Sequence, residues 1–374
     1  MKVTIARDAA HAAFAKARRT MPRKADMQIL GTVLLSAYGN AMTVSAADFD
    51  RRITIAIAAE VEEPGEICVE GKTLGDALKH WPEGERVTIN HPLAEGDTRC
   101  VVSCVRNRVR IGTLPAEDFP EIERGSADIA FEMAGADLAR AIELCLPHAC
   151  DDGTRHYLHG VAIGEDRQGD LVFVATNGHT LLKRTLPIPD DAGGLTLRII
   201  PTEGATEIAK VAADRKAEPV ELAFSDRAIH MNAGDTTYTA LLIDGTYPDY
   251  EAIIPRDFAR SVMVYAGALA GAAERAGVVL KGKATGIALH VSAEEILVKA
   301  RHADAEAESE ADAVYDGPEF VVGVNVDYLR DCLAPIGAGE AALSFQADAA
   351  SPIVITAEGL PGVTAVLMPV RLPQ

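Results

Sequence analysis

A helical pattern that returns six times at nearly constant spacing constrains this chain more than any other feature. Small or apolar residues at i, i+3, i+4 and i+7 mark one face of an amphipathic helix. The first three sets are Ala10/Ala13/Phe14/Ala17, Leu74/Ala77/Leu78/Trp81 and Leu138/Ala141/Ile142/Cys145. The second three are Ala205/Ile208/Ala209/Ala212, Leu269/Ala272/Ala273/Ala276 and Leu329/Cys332/Leu333/Ile336. They begin at 10, 74, 138, 205, 269 and 329, so their separations are 64, 64, 67, 64 and 60 residues. Alanine-rich sequence matches the template easily at one place. Six matches at one period indicate a supersecondary unit copied along the chain.

The flanks repeat as well. A short strand leads into each helix: Val3–Ile5, Ile67–Val69, Ile129–Phe131, Leu197–Ile200, Val262–Val264 and Phe320–Val322. Alternating runs follow, such as Ile29 to Leu35, Val87–Ile89, Val220 to Phe224 and Leu343–Phe345. Each unit therefore reads as strand, helix, then two or three antiparallel strands. Two similar segments close pairs of units, Thr113-Leu-Pro-Ala-Glu-Asp-Phe-Pro-Glu-Ile122 and Asp244-Gly-Thr-Tyr-Pro-Asp-Tyr-Glu-Ala-Ile253. The expectation is three similar α+β domains, 1–125, 126–254 and 255–374, each of roughly 125 residues. Three such domains in a row suggest a curved body with one helical face and two unlike ends. Complementary ends would close a ring head to tail.

A candidate complement exists. Arg106, Arg108 and Arg110 alternate between Val105 and Ile111, and Glu306, Glu308 and Glu310 alternate in the last third. Alternation places each triplet on one side of a strand, with Val109 and Ile111 as apolar neighbours of the arginines. Solvated strand faces and charged guards against edge aggregation have the same pattern.

Near the middle, Leu171 to Ala175 and the run through Leu181, Leu182 and Leu186 flank Asn177-Gly178. That is a hairpin signal, because both turn residues accept φ > 0. His179 sits on the turn. Thr176, Asn177 and His179 could hint at hydrolytic chemistry, but no nucleophile or acid lies at a matching spacing. No G-x-S-x-G, P-loop or H-E-x-x-H is present.

Composition adds exclusions. The 374 residues are 48% hydrophobic and 24% charged, an ordinary globular balance. No apolar run approaches the ~20 residues of a membrane helix. The opening Met1-Lys2-Val3-Thr4 alternates without a leader-like run, and the expectation is a cytoplasmic chain. The six cysteines, Cys68, Cys100, Cys104, Cys145, Cys150 and Cys332, form no C-x-x-C and match no histidine spacing. They read as idle thiols, with no metal or cofactor expected. The net charge of −19 disfavours tight nucleic-acid binding, although it says nothing about local distribution.

Five pieces in order carry a family resemblance: Thr113-Leu-Pro-Ala-Glu-Asp-Phe-Pro, Arg155-His-Tyr-Leu-His-Gly160, Ala175-Thr-Asn-Gly-His179, Asp244-Gly-Thr-Tyr-Pro-Asp-Tyr250 and Met368-Pro-Val-Arg-Leu372. Over its whole length the chain resembles the bacterial replicative sliding clamps, the beta subunits of DNA polymerase III. The resemblance implies a non-enzymatic processivity factor: a head-to-tail homodimer of three-domain crescents encircling double-stranded DNA. Its implied partners are the polymerase catalytic subunit, the ATP-driven clamp loader and other proteins carrying clamp-binding motifs, with no membrane.

The resemblance also implies sites. The partner-peptide groove would comprise Leu158, Thr176, Gly178, His179, Thr180, Leu181, Pro248 and Ile253, with the tail Val366, Leu367, Met368, Pro369, Val370 and Arg371. DNA would face Arg23, Lys24, Arg155, His156, Tyr157 and Lys210. Further basic candidates for the inner helices are Lys16, Arg18, Arg19, Lys72, Lys79, Arg215, Lys216 and Arg275, offset by Asp76, Asp137, Glu143, Glu203, Glu207 and Glu274. The joint between copies would use Arg106, Arg108, Val109, Ile111, Glu306, Glu308 and Glu310. The chain departs from the family pattern where arginines are usual, at Thr180 and Ala252. His156 and His159 replace an aromatic and an asparagine or lysine, and Pro373-Gln374 extends the usual end. Rival readings are a divergent paralogue serving a specialised polymerase or acting as a decoy and, more remotely, a hydrolase using His179.

Overall fold

The computed structural model describes residues 1–22, 24, 26–91, 99–123, 125–282, 285–348 and 350–372. Each of the six repeats is a strand, a helix and three strands. The first holds β1 (Lys2–Ala6), α1 (Arg7–Ala17), β2 (Thr32–Tyr38), β3 (Ala41–Ala47) and β4 (Arg51–Glu63). The second holds β5 (Gly65–Glu70), α2 (Gly71–His80), β6 (Arg86–Asn90), β7 (Arg99–Cys104) and β8 (Asn107–Leu114). Next come β9 (Ile129–Ala134), α3 (Gly135–Cys145), β10 (Gly160–Glu165), β11 (Leu171–Thr176) and β12 (Thr180–Leu186). The fourth has β13 (Arg198–Pro201), α4 (Thr202–Arg215), β14 (Pro219–Phe224), β15 (Ala228–Ala233) and β16 (Thr236–Leu241). The fifth has β17 (Arg260–Tyr265), α5 (Ala266–Gly277), β18 (Gly286–Val291), β19 (Glu295–His302) and β20 (Ala305–Tyr315). The last has β21 (Phe320–Asn325), α6 (Val326–Leu333), β22 (Glu340–Phe345), β23 (Ile353–Thr356) and β24 (Val363–Leu367).

All six periodic sets begin on these helices, and most of their members are buried. In α3 the residues Leu138, Ala141, Ile142 and Cys145 are all fully enclosed. Each large side chain so buried contributes roughly 2 kcal/mol against exposure. Side-chain caps begin α2 and α6. Glu70 accepts from the Lys72 and Thr73 amides at 3.0 and 2.8 Å, and Asn325 accepts from those of Asp327 and Tyr328 at 2.9 and 3.2 Å. Such caps satisfy amides that have no partner within the helix. Trp81 and Ile336, the last members of their sets, lie just past the ends of α2 and α6.

The chain divides into two compact units, Met1–Ala139 with Thr206–Leu242, and Arg140–Ala205 with Ile243–Gln374. Sheet continuity explains this division of the middle third. In the first unit β4 pairs with β16, from Arg51↔Ala240 to Ile55↔Thr236. In the second unit β12 pairs with β24, from Thr180↔Leu367 to Arg184↔Val363. Each unit thereby carries one antiparallel sheet of twelve strands.

Some local expectations change. The run from Ile29 does not start as a strand, because Gln28–Gly31 forms a 3₁₀ turn before β2. Arg106 is not on a strand face, because Val105 and Arg106 are the two-residue turn between β7 and β8. At the central hairpin only Gly178 takes positive φ, +86°. Asn177 works through its side chain instead: Oδ1 accepts from the His179 and Thr180 amides at 2.9 and 2.8 Å. All six cysteines are buried free thiols. Among the described residues no helix is long and apolar enough to cross a membrane, and no three or more His, Cys, Asp or Glu side chains cluster to hold a metal.

Candidate functional site

The central hairpin and the chain's tail meet in the second unit. Along β12, Leu181, Lys183 and Thr185 share one face of the strand, and Thr180 and Leu182 take the other. Leu181 pairs with Val366 on β24, and both are 2% exposed. Together with Leu158, Val172, Val174, Tyr247 and Tyr250 they form one apolar cluster, with Tyr157 and Ile254 packed on its border. Pro248 and Met368 are half-buried, and Ile253 is 43% exposed. The arrangement is a buried apolar cluster, with Pro248, Ile253 and Met368 more accessible than its members.

Hydrogen bonds fix the hairpin beside that cluster. The Thr176 hydroxyl donates to the Thr180 carbonyl at 2.7 Å and accepts from the Gly178 amide at 3.1 Å. The Met368 amide donates to the His179 carbonyl at 2.8 Å, which ties the tail to the turn. The exposed His179 ring stacks on Tyr328 of α6, with centroids 5.4 Å apart and an interplanar angle of 15°. Tyr328 is absent from the residues expected at this site. Its only sequence signal is the Asn325 cap three positions earlier, which sets where α6 begins. Gly160 closes the Arg155-to-Gly160 motif at the start of β10, where a Cβ would run into the Ile200 carbonyl.

Several expected members stand elsewhere. Thr180 is 3% exposed and turned away from the cluster, with its hydroxyl 3.0 Å from Nδ1 of the enclosed His148. It leaves no gap in a rim; it fills an interior position. Ala252 is exposed. Leu367 is fully enclosed. Beyond Pro369 the tail leaves the hairpin: the Val370 amide donates to the Gly323 carbonyl at 2.8 Å, and Arg371 is exposed.

Of the residues expected to face DNA, Arg23 lies outside the described residues. Lys24, His156 and Lys210 are exposed. His156 meets Tyr157 edge-on at 5.8 Å. Arg155 lies 3.5 Å from Asp152 and packs against the Gly178 turn, so it borders the apolar cluster. In the first unit, ion pairs link Arg19 to Glu207 at 2.8 Å and Lys16 to Asp214 at 2.9 Å. Burial raises the Glu207 carboxyl above its ordinary pKa, while Arg19 pulls the other way. Two of the expected inner-face cations are therefore already matched by carboxylates on α4.

The last strands of the repeats pair selectively. The first pairs with the fourth (β4 with β16) and the third with the sixth (β12 with β24). Among the described residues, the last strands of the second and fifth repeats have no such partner. Residues 107–112 of β8 pair, among the described residues, only with β7, and 305–312 of β20 only with β19. Arg108 and Arg110 are exposed on β8. Ile111 is 4% exposed, so it belongs to the core of its own unit rather than to the surface, and Val109 is half-buried. Glu306, Glu308 and Glu310 are exposed on β20, with Glu306 3.2 Å from Arg301 and Glu308 3.5 Å from Lys299.

Comparison with known proteins bears on this geometry. Three family models match in series: DNA polymerase III beta subunit, N-terminal domain, over residues 1–123, central domain over 132–249, and C-terminal domain over 251–371. A beta sliding clamp of Caulobacter vibrioides is 31% identical over 376 residues, covering all of both chains. A crystal structure of the C. crescentus beta sliding clamp superposes with a TM-score of 0.95 at 30% identity, covering 100% of this chain and 99% of the other. A DnaN sliding clamp from Pseudomonas aeruginosa, solved bound to griselimycin, gives a TM-score of 0.93 at 28% identity with full coverage of both. Neither the paralogue nor the hydrolase reading gains support from these matches. The α+β architecture of clamp domains, the whole-length matches and the named relatives agree: the chain belongs to the DNA polymerase III beta subunit family, the sliding clamps that act as non-enzymatic processivity factors of DNA replication.

Proposed function

We propose that two copies of this chain join head to tail as a ring around double-stranded DNA in the cytoplasm, with domains 1–125, 126–254 and 255–374. The ring holds the polymerase catalytic subunit, the clamp loader and other motif-bearing proteins through the cluster of Leu158, Leu181 and Val366 with the more accessible Pro248, Ile253 and Met368. The observation that carries the reading is the pairing of terminal strands. Joints one-to-four and three-to-six are made within the chain, so the two-to-five joint is left for a second copy. The edges concerned carry opposite charge, Arg108 and Arg110 against Glu306, Glu308 and Glu310. An open strand edge supplies unpaired amides and carbonyls along its length, a strong template for another edge. The ion pairs add only ~0–1 kcal/mol each and serve mainly register and partner choice.

Duplex DNA is held by enclosure and diffuse attraction to phosphates, because base-specific contacts would stop sliding. The Arg19–Glu207 and Lys16–Asp214 pairs, with a net charge of −19, keep that attraction weak. Changing Glu306, Glu308 and Glu310 together to lysine should move sedimentation from dimer toward monomer. Adding Arg108→Glu and Arg110→Glu should restore part of the dimer. An unchanged profile for the triple variant places the joint elsewhere.

A further inference from the structure

The two edges left for the joint are not equally prepared. On β8 the residues opposite Arg108 and Arg110 are Ser103 and Val101 of β7, so no carboxylate stands across the ladder from either arginine. On β20 two of the three glutamates already have a cation across theirs. Lys299 of β19 is in register with Glu308 and lies 3.5 Å from it, and Arg301 is in register with Glu306 at 3.2 Å. Glu310 faces Leu297 instead. Over these facing rows the basic edge carries two uncompensated positive charges. The acidic edge sets three negative charges against two positive ones.

Such exposed pairs add little to the stability of the sheet itself. Their consequence lies in where they hold the glutamates. Lys299, Arg301, Glu306 and Glu308 are all exposed and line a recess of about 570 Å³ together with Gly286, Ala288 and Leu372. Glycine and alanine there leave the long side chains room to turn. A glutamate held toward β19 points away from the open edge of β20. Arg108 and Arg110 of a second copy would have to draw it back or share it. Lys299 and Arg301 would also stand two strand spacings from those arginines, about 10 Å, which is within one Debye length at 0.1 M salt. Competition for the carboxylates and repulsion between like charges both oppose closure.

We infer that Lys299 and Arg301 form an intrachain clasp that keeps the joint between copies weak. They compete with the second copy's arginines for Glu306 and Glu308, and Glu310 is the glutamate left without a rival cation. This rests on the joint proposed above and names what limits its strength. Paired strand edges supply most of the attraction, because each edge offers a row of open amides and carbonyls. A ring that must open to admit DNA needs that attraction moderated. An acidic edge whose glutamates are already matched is less unfavourable while it stands open.

The dimer dissociation constant of the Lys299→Gln, Arg301→Gln variant, measured by sedimentation at low salt, tests the inference. The variant should dimerise roughly three- to tenfold more tightly than wild type, the combined effect of two exposed pairs. The gain should fade at about 1 M salt, where the Debye length is about 3 Å. A charge-preserving variant, Lys299→Arg with Arg301→Lys, should match wild type. In a Glu306→Gln, Glu308→Gln background, neutralising Lys299 and Arg301 should lose most of its gain, because no carboxylate remains to be released. An unchanged or weaker dimer, or a gain kept in full without the two glutamates, would overturn the clasp. The joint itself would still stand if the Glu306, Glu308 and Glu310 triple variant above dissociates. If that triple variant remains a dimer, the joint lies elsewhere and the clasp falls with it.

Discussion

The His148 ring is completely enclosed, and its Nδ1 lies 3.0 Å from the Thr180 hydroxyl. That hydroxyl in turn lies 3.3 Å from Asn177 Oδ1, already an acceptor of two turn amides. The ring and the Thr180 hydroxyl share one proton between them, and burial favours the uncharged imidazole. Burial pushes the His148 pKa down to about 4, from 6.5, with the Asp331 backbone opposing. Between those values the unfolded chain binds a proton that the folded chain refuses, so folding stability falls as pH drops from 6.5 toward 4. The effect is on the order of 2–3 kcal/mol. Urea unfolding at stepped pH should show it, and His148→Gln should flatten that part of the profile; an identical slope in the variant would assign the loss to other groups. The network could not be seen in the sequence. His148 and Thr180 are 32 residues apart, and only the pairing of β11 with β12 turns Thr180 inward to meet the ring.

At the scale of elements, helices and lead strands were legible because a period repeated six times leaves few alternatives. Hairpin tips were legible only where glycine or asparagine marked them. Val105-Arg106 carries neither, and Val105 is a β-branched residue held at φ +53°, a conformation its side chain disfavours. Alternation therefore read straight through the turn and placed Arg106 on a strand. Alternation also leaves open which side is buried. Val102 and Cys100 across the ladder from Val109 and Ile111 decide that, and they turn Ile111 into core. The residues proposed for the groove could be named from the sequence, but their depth could not. Leu181 and Val366 lie within the core, so truncating them would remove stability as well as any ligand surface. Ile253 and Met368 are the accessible apolar members. Changing both to alanine should weaken a polymerase-derived fluorescent peptide by about 1–3 kcal/mol while leaving thermal unfolding nearly in place. Superimposable titration curves would mean that peptides dock elsewhere.

For the whole molecule, the repeat pattern already implied domains and a joint between copies, but not how the chain spends its strand edges. Pairings of β4 with β16 and β12 with β24 are non-local, and no spacing in the sequence encodes them. Nor does the sequence show that Lys16 and Arg19 are matched by Asp214 and Glu207, nearly two hundred residues away. Both facts bear on the central claim. A chain of net charge −19 with neutralised cations should grip DNA poorly by contact, so retention must come from closure of the ring. The direct measurement is retention at high salt after the cognate loader has placed the protein on nicked circular DNA. The protein should stay on the closed circle and be lost when a single cut linearises it. Equal retention on the circular and linear forms would contradict the account.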